Sequence, residues 1–285
     1  MIQSMTGYGK HIIQLPTKKI TVEIKSLNSK SLDLNTRVPS AYRQKELQIR
    51  KLLASGLTRG KIDLNLFVES TAGETATKIN HKTLMQYMEQ LSEVVAADQV
   101  ELLKMAVKMP DALKTEREEI DEDEFSEILK AVSQALVEIN TYRTDEGEVL
   151  KNDFLKRISN ISKHLEEVLL IDSQRIESVK QRLRSALSDL KERVDENRFE
   201  QELIYYLEKY DITEEKVRLE NHLSYFKEAI NSKDSNGKKL GFITQEIGRE
   251  INTIGSKSNF APMQQLVVQM KDELEKIKEQ ALNVL

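Results

Sequence analysis

Between Pro110 and Pro262 the chain contains no proline. Proline removes a backbone donor and clashes with the preceding helical turn, so a span free of it can run as helix over a long distance. Its apolar residues are spaced to do so. Leu150, Phe154, Ile158, Ile161, Leu165 and Val168 keep three-four spacing, and Ile176, Val179, Leu183, Leu187, Leu190 and Val194 continue it after a phase change near Asp172. The pattern predicts one or two helices longer than an ordinary globular helix, reaching away from the body of the protein. The stripe reads as a structural seam, within or between subunits.

Upstream the period changes from 3.6 to two. Ile20-Thr-Val-Glu-Ile-Lys25 and Leu32-Asp-Leu-Asn-Thr-Arg-Val38 alternate, with a polar turn over 26–31 between them. A helix is expected from about Ala41 to Ala54, with Leu47, Ile49, Leu52 and Leu53 available for burial and Gly56 ending it. Thr58-Arg59-Gly60-Lys61 is a turn into Ile62-Asp-Leu-Asn-Leu-Phe-Val68, which alternates again. Strand–strand–helix–strand is a small unit with an antiparallel sheet as its expected core. From His81 the pattern is helical, and Pro110 with the acidic run Glu116–Glu124 marks a connection or exposed loop. Beyond the long span, Asp211-Ile-Thr-Glu214 has capping-box spacing. Asp234–Gly237 is a turn, and Pro262 opens the last helix. The fold class is therefore α+β: a small N-terminal antiparallel sheet with helices, then long helices and a C-terminal helical bundle. Three regions are expected: 1–140, 141–200 as a helical arm, and 201–285.

The 285 residues have room for one large domain or two ordinary ones. Charged residues make up 32% and aromatics 5%, the composition of a helix-rich protein with much solvated surface. No cysteine is present, which excludes disulfides and thiolate metal sites. A metal would have to use carboxylates, amides, hydroxyls or one of four histidines, a set that favours Mg²⁺ or Mn²⁺ over structural zinc. No run of 18 apolar residues and no signal-like N-terminus is seen, so no membrane partner and a cytoplasmic location are expected. The net charge of −4 is uneven: residues 1–61 hold 12 Lys or Arg against 3 Asp or Glu, +9, leaving −13 for the rest. Such a basic region is either the footprint of a polyanion or a match to acidic helices of the same protein.

The densest motif lies over residues 237–257. Leu240, Ile243, Ile247, Ile251 and Ile254 form a helical apolar face, and Glu246 and Glu250 stand four residues apart on another face with Arg249 between them. Gly255 is expected at the left-handed C-terminal position of that helix. The two acids would then sit at the negative end of the dipole and repel each other, which calls for a compensating cation, a basic side chain or a metal. The plainer reading is a solvated face with Glu246–Arg249 paired at i,i+3 and Lys257 neutralising the helix end. Gly248, inside the helix, marks a place where another element approaches closely. On the preceding helix Glu215, Arg218 and His222 share one face. Pairing of the last three helices would bring Glu215 and His222 to Glu246 and Glu250.

These residues resemble the YicC/YloC family of bacterial proteins. The resemblance is carried by Met1-Ile-Gln-Ser-Met-Thr-Gly7-Tyr-Gly9, Arg59-Gly60-Lys61, Glu146-Gly147 with Leu150 and Asp153, and Asp211-Ile-Thr-Glu-Glu215 with Arg218-Leu219 and His222-Leu223. Gln245-Glu246, Arg249-Glu250-Ile-Asn252-Thr and Gly255-Ser-Lys257 complete it, in order along the whole chain. The resemblance implies a stress-associated, metal-dependent endoribonuclease that cuts single-stranded or loop RNA within a ring-like homo-oligomer, a hexamer. Three places depart from the family pattern, one being Gly248, where a larger residue is common. Asn28-Ser29-Lys30 stands where Asn-His-Arg is usual, and Ser258-Asn259-Phe260-Ala261 where Ala-Asn-Asp-Ala is usual, one carboxylate fewer.

On that resemblance Glu246 and Glu250, with Glu215, are the candidate ligands of Mn²⁺ or Mg²⁺. Arg249 or Lys257 would stabilise phosphorane charge, and His222 would act as general acid or base, or as a further ligand. Lys30, Arg37, Arg43, Arg59 and Lys61 would hold the RNA backbone, with Tyr8 or Tyr42 stacking on a base. Two other readings stand beside this one. One is a non-catalytic RNA-binding adaptor that delivers small RNAs to a partner ribonuclease. The other is a helical scaffold whose charge asymmetry serves self-assembly.

Overall fold

A computed structural model describes residues 2–71, 77–115, 121–189, 196–232 and 237–285. Leu190, Val194, the first part of the acidic run (116–120) and most of the 234–237 turn lie outside these residues.

Four strands form the N-terminal sheet: β1 (Gly7–Gln14), β2 (Lys18–Leu27), β3 (Leu32–Arg37) and β4 (Gly60–Ser70), in the order β1-β2-β4-β3. β2 pairs antiparallel with β1 and β4, but β3 runs parallel to β4, so the sheet is mixed rather than antiparallel. The reason is the connection. Helix α1 (Glu46–Gly56), entered through a 3₁₀ turn at Ser40–Lys45, carries the chain back so that β4 starts at the same end as β3. Ile49 and Leu53 of α1 are buried, whereas Leu47 is exposed. Strand β1 has no clear apolar alternation because Gly7, Gly9 and His11 take three of its four inward positions. A Cβ on Gly9 would lie 2.2 Å from the Ala135 carbonyl oxygen of the next long helix.

A small unit follows: β5 (Thr77–Ile79), α2 (His81–Val94), α3 (Gln99–Ala106) and β6 (Leu113–Thr115), with β5 and β6 antiparallel. The Asn80 side chain caps α2 by accepting from the Thr83 amide. Leu84, Ala106 and Ala112 form its compact core.

The proline-free span yields α4 (Glu122–Asp189), a single helix of 68 residues and about 100 Å at 1.5 Å per residue. It serves two cores in succession. Phe125, Ile128, Val132, Ala135 and Ile139 pack on the inner face of the sheet against Ile20, Val22, Ile24, Ile62, Leu64 and Leu66. Phe154, Ile158, Ile161, Leu165 and Val168 pack into the C-terminal bundle of α6 (Thr213–Ile230), α7 (Gly237–Lys257) and α8 (Ala261–Ala281). The stretch from Phe154 to Val168 is thus core rather than an arm reaching outward. The phase change at Asp172 is a change of partner, not a break. There Asp172 holds Arg175 at 2.8 Å and Lys216 at 2.7 Å, and Arg175 donates to the Tyr210 carbonyl at the end of α5 (Glu196–Lys209).

The two halves are also tied through the chain ends. Ser4 bridges Val284, the Met5 amide donates to Asn283, and the Leu285 amide donates to Gln3. In the bundle, the apolar face of α7 is buried as its spacing requires. Its end differs from expectation: Gly255 lies inside the helix, which continues to Lys257, and the only glycine at positive φ is Gly60 among the described residues. Gly255 and Gly248 instead admit α8. A Cβ at these positions would meet Val267 Cγ1 at 3.0 Å and Leu274 Cδ2 at 3.2 Å.

Candidate functional site

Where α6 meets α7, each helix contributes one buried carboxylate. Thr213 opens α6, its amide and hydroxyl both donating to Asp211 Oδ1 at 3.0 and 2.7 Å. This fixes the first turn, and Glu215 enters the interior at 5% exposure. Leu219, Leu223 and Phe226 continue the same face into the core. From α7, Glu250 is buried between Ile247 and Ile251 of the apolar stripe, at 8% exposure.

Lys257 Nζ donates to Glu215 Oε1 at 2.8 Å, while Glu215 Oε2 is buried with no hydrogen-bond partner among the described residues. Burial raises the Glu250 pKa; Arg218 and His222 oppose that shift, and the charges of Glu215 and Glu214 reinforce it. Glu215, His222, Lys257 and Glu250 are therefore brought to one locus. Arg218, to which spacing alone assigned no chemistry, joins them; it also pairs with Glu214 at 2.5 Å. Glu246 is held one turn back by Arg249 at 3.0 Å, and Arg249 is largely in solvent. The i,i+3 pairing of the plainer reading is thus present as well.

Among the described residues no group of three or more His, Asp or Glu side chains is placed to hold a metal ion. The donor set nevertheless suits a hard divalent cation. Mg²⁺ commonly takes one or two carboxylates and completes its shell with water and substrate phosphate, and the unpartnered Glu215 Oε2 is a free donor beside a second carboxylate. Phe260 is the N-cap residue of α8, partly buried against the bundle. Aspartate is favoured at an N-cap for its hydrogen bond to the first turn. Phe260 makes no side-chain hydrogen bond to that turn.

The basic residues of the N-terminal region divide into two sets. Lys18 and Lys45 pair with Glu124 and Glu122 at the start of α4, at 3.0 and 2.6 Å, so part of the charge asymmetry is matched internally. Lys30, Arg37, Arg43 and Lys61 are exposed and make no ion pair with a described acid. Arg37 and Lys61 stand on the outer face of the sheet, Lys30 in the β2–β3 turn, and Arg43 in the 3₁₀ turn. Arg59 is committed to structure, its Nε donating to the Ser29 carbonyl at 2.8 Å. Tyr8 is exposed, whereas Tyr42 is buried and hydrogen-bonded to Glu124, which removes it as a stacking residue.

One residue joins the N-terminal motifs. Arg143 on α4 is 1% exposed and donates to the Met5 and Arg59 carbonyls at 3.3 and 3.2 Å and to Ser26 Oγ. Its Nε has no hydrogen-bond partner among the described residues, and burial lowers its pKa. The signal was in the sequence: Ala135, Ile139, Arg143 and Gly147 recur every four residues, so Arg143 stands in an apolar register. Beside it, the Thr6 hydroxyl donates to Glu146 at 2.9 Å, and Gly147 admits the Ile2 backbone.

A mixed-sheet unit and a helical bundle share one long helix, with paired carboxylates, an imidazole and flanking cations between two bundle helices. This is a two-part helical protein with a cluster of acidic and basic side chains in its C-terminal half. The chain belongs to the YicC-like endoribonuclease family: residues 2–152 match its N-terminal region and residues 168–285 its C-terminal part. It is 35% identical over 293 aligned residues to the probable endoribonuclease YicC of Clostridioides difficile (strain 630), and 28% identical over 287 to that of Haemophilus influenzae. Each match covers 100% of both chains.

Proposed function

We propose that this protein is a metal-dependent endoribonuclease that cuts single-stranded or loop RNA. The observation that carries the reading is the pair of buried carboxylates, Glu215 and Glu250, lying with His222 between α6 and α7. Burying two acids together is costly unless a cation or a proton compensates them. Lys257 supplies only part of that compensation, because it reaches one oxygen of Glu215.

Phosphodiester cleavage needs positive charge at the non-bridging oxygens, an activated oxygen nucleophile, and a proton for the leaving oxygen. Glu215 and Glu250 would hold Mn²⁺ or Mg²⁺, while Glu246, one turn back, stays paired with Arg249. When bound, such a cation supplies charge neutralisation and a more acidic water. His222 takes or returns a proton at its imidazole. Lys257, Arg249 and Arg218 present cationic groups to the phosphorane. The exposed Lys30, Arg37, Arg43 and Lys61 hold the RNA backbone, and Arg59 orders the turn that bears Lys30.

The same reading includes assembly as a ring-like homo-oligomer, a hexamer, in the cytoplasm, with a role in stress responses. Self-association is supported by apolar side chains left in solvent on the α2–α3 unit, such as Val94 at 85% and Met85 at 64%. No helix among the described residues is long and apolar enough to cross a membrane.

The test uses purified protein with a labelled hairpin RNA in Mn²⁺, Mg²⁺ or EDTA, beside the Glu246→Gln/Glu250→Gln variant. Cutting that requires the metal and is absent from the variant is the expected result. RNA binding without cutting under every metal would instead favour an adaptor that hands RNA to a partner ribonuclease. Retained cutting by the variant would remove both acids from the chemistry.

A further inference from the structure

We propose that the outer face of the four-stranded sheet is a platform on which unpaired RNA bases stack. This rests on the RNA-directed reading above and assigns a place to the bases.

The sheet is covered on one side only. Both α1 and the first part of α4 pack on the inner face, while the outer face keeps its large side chains exposed. Side chains alternate across a strand, so the outer face carries Tyr8 and Ile12 from β1 and Phe67 from β4. These are 39, 47 and 51% exposed, where an inward residue such as Leu64 is 0%. The register sets them in rows. Tyr8 stands beside Lys25 and then Asp63; Lys10 beside Glu23, Asn65 and Arg37; Ile12 beside Thr21 and Phe67. Lys25 Nζ is 5.8 Å from the Tyr8 ring centroid, a cation already set against the π face.

Charge decides what this surface suits. Glu23 and Glu69 are answered on the face by Lys10 at 3.1 Å and Lys19 at 3.7 Å. Lys25, Arg37 and Lys61 remain without an ion pair to a described acid. The rings and aliphatic side chains are interleaved with charges rather than gathered into an apolar patch. A second protein seated here would have to desolvate those charges, and interface cores are depleted of them. A nucleic acid strand meets both features, with phosphates for the unpaired cations and bases for the rings. Tyr8 and Phe67 lie two strands and four residues apart, about 17 Å from strand spacing and rise. That separation suits contacts along an extended strand and not two neighbouring stacked bases.

The chain has no tryptophan, so Phe67→Trp places a single fluorescent reporter on the face. The variant is titrated in EDTA, which withholds the metal that cleavage requires, with a short 2′-O-methylated single-stranded RNA carrying a fluorophore for anisotropy. Tryptophan quenching that saturates together with the anisotropy change is expected. Tyr8→Ala and Phe67→Ala should each weaken single-strand binding by roughly fivefold or more. Duplex affinity should change far less, and melting temperature and sedimentation mass should stay as in the wild type. Binding with unaltered tryptophan emission and unaltered affinity in both alanine variants would overturn the proposal. So would a change of mass in those variants, which would give the face to a second copy of the chain. Because the RNA cannot be cut, the outcome is separate from that of the nuclease test: binding through this face would stand even if the protein cleaved nothing.

Discussion

Adding one methyl group at Gly9 is expected to separate the sheet from the long helix. On Gly9 a Cβ would lie 2.2 Å from the Ala135 carbonyl oxygen and 2.9 Å from the Ile139 nitrogen, both backbone atoms of α4. Neither can turn aside. Restoring an ordinary contact of about 3.4 Å or more requires a shift of over 1 Å in a strand bonded to β2 from Gly7 to Gln14. Overpacking of a rigid contact costs about 1–3 kcal/mol, and two backbone partners put Gly9→Ala at the upper end, about 3 kcal/mol. In a chain of this size that corresponds to a melting temperature lower by roughly 6–12 °C. Gly241→Ala is the matched control. It is also a glycine-to-alanine change, but its Cβ would meet nothing within 4 Å, and it lies inside helix α7. It should stabilise by about 0.5–1 kcal/mol through helix propensity. Gly7→Ala should fall between, since its nearest neighbours are the Ile139 and Arg143 side chains, at 2.9 and 3.0 Å. Differential scanning calorimetry of the three variants decides the matter. A Gly9→Ala protein melting with the wild type, or Gly241→Ala losing as much as Gly9→Ala, would refute the packing argument.

Glu250→Gln should raise stability at neutral pH. The folded pKa of Glu250 lies above its ordinary value of 4.5, so stability falls as pH rises from about that value through the folded pKa and stays lower above it. The neutral variant escapes this loss, and its melting temperature relative to wild type should increase between acid and neutral pH; a constant difference would exclude a raised pKa. Asp172→Asn removes the carboxylate that holds Lys216 and the buried Arg175, and leaving that guanidinium unpaired should cost about 3–5 kcal/mol, read by urea unfolding. Phe260→Asp should leave RNA cleavage as it is in the wild type, because the position caps α8; a clear gain in metal-dependent cutting would return that acid to the chemistry. Arg143→Ala should lower the melting temperature sharply without altering the metal dependence of cleavage, since the Arg143 guanidinium donates to Met5, Ser26 and Arg59, all in the N-terminal half.

The candidate site was legible as far as helix periodicity reaches. The spacing of Glu215, Arg218 and His222 put them on one face, and the five apolar residues of α7 fixed how it lies. Periodicity could not say which carboxylate of α7 turns inward. Glu246 and Glu250 differ by one turn, and the choice depends on where α6 crosses, which buries Glu250 within electrostatic reach of Glu215 and leaves Glu246 to Arg249. Strand β1 was illegible for a related reason. Its glycines carry no side chain to make a pattern, and their purpose becomes visible only with α4 lying on them.

By itself the sequence determined the long helix, the strands β2 to β4 and the buried stripe of the bundle, because 3.6- and two-residue periods and the distribution of proline are local properties. Only the tertiary structure decided that one helix serves two cores, that β3 and β4 run parallel, that the element approaching Gly248 is α8, and that Gly255 receives α8 rather than ends a helix. It also decided which basic residues are neutralised by α4 and which stay free on the outer sheet. Each of these depends on distances between residues far apart in the chain, set by how apolar faces of different elements meet, and no local period records them.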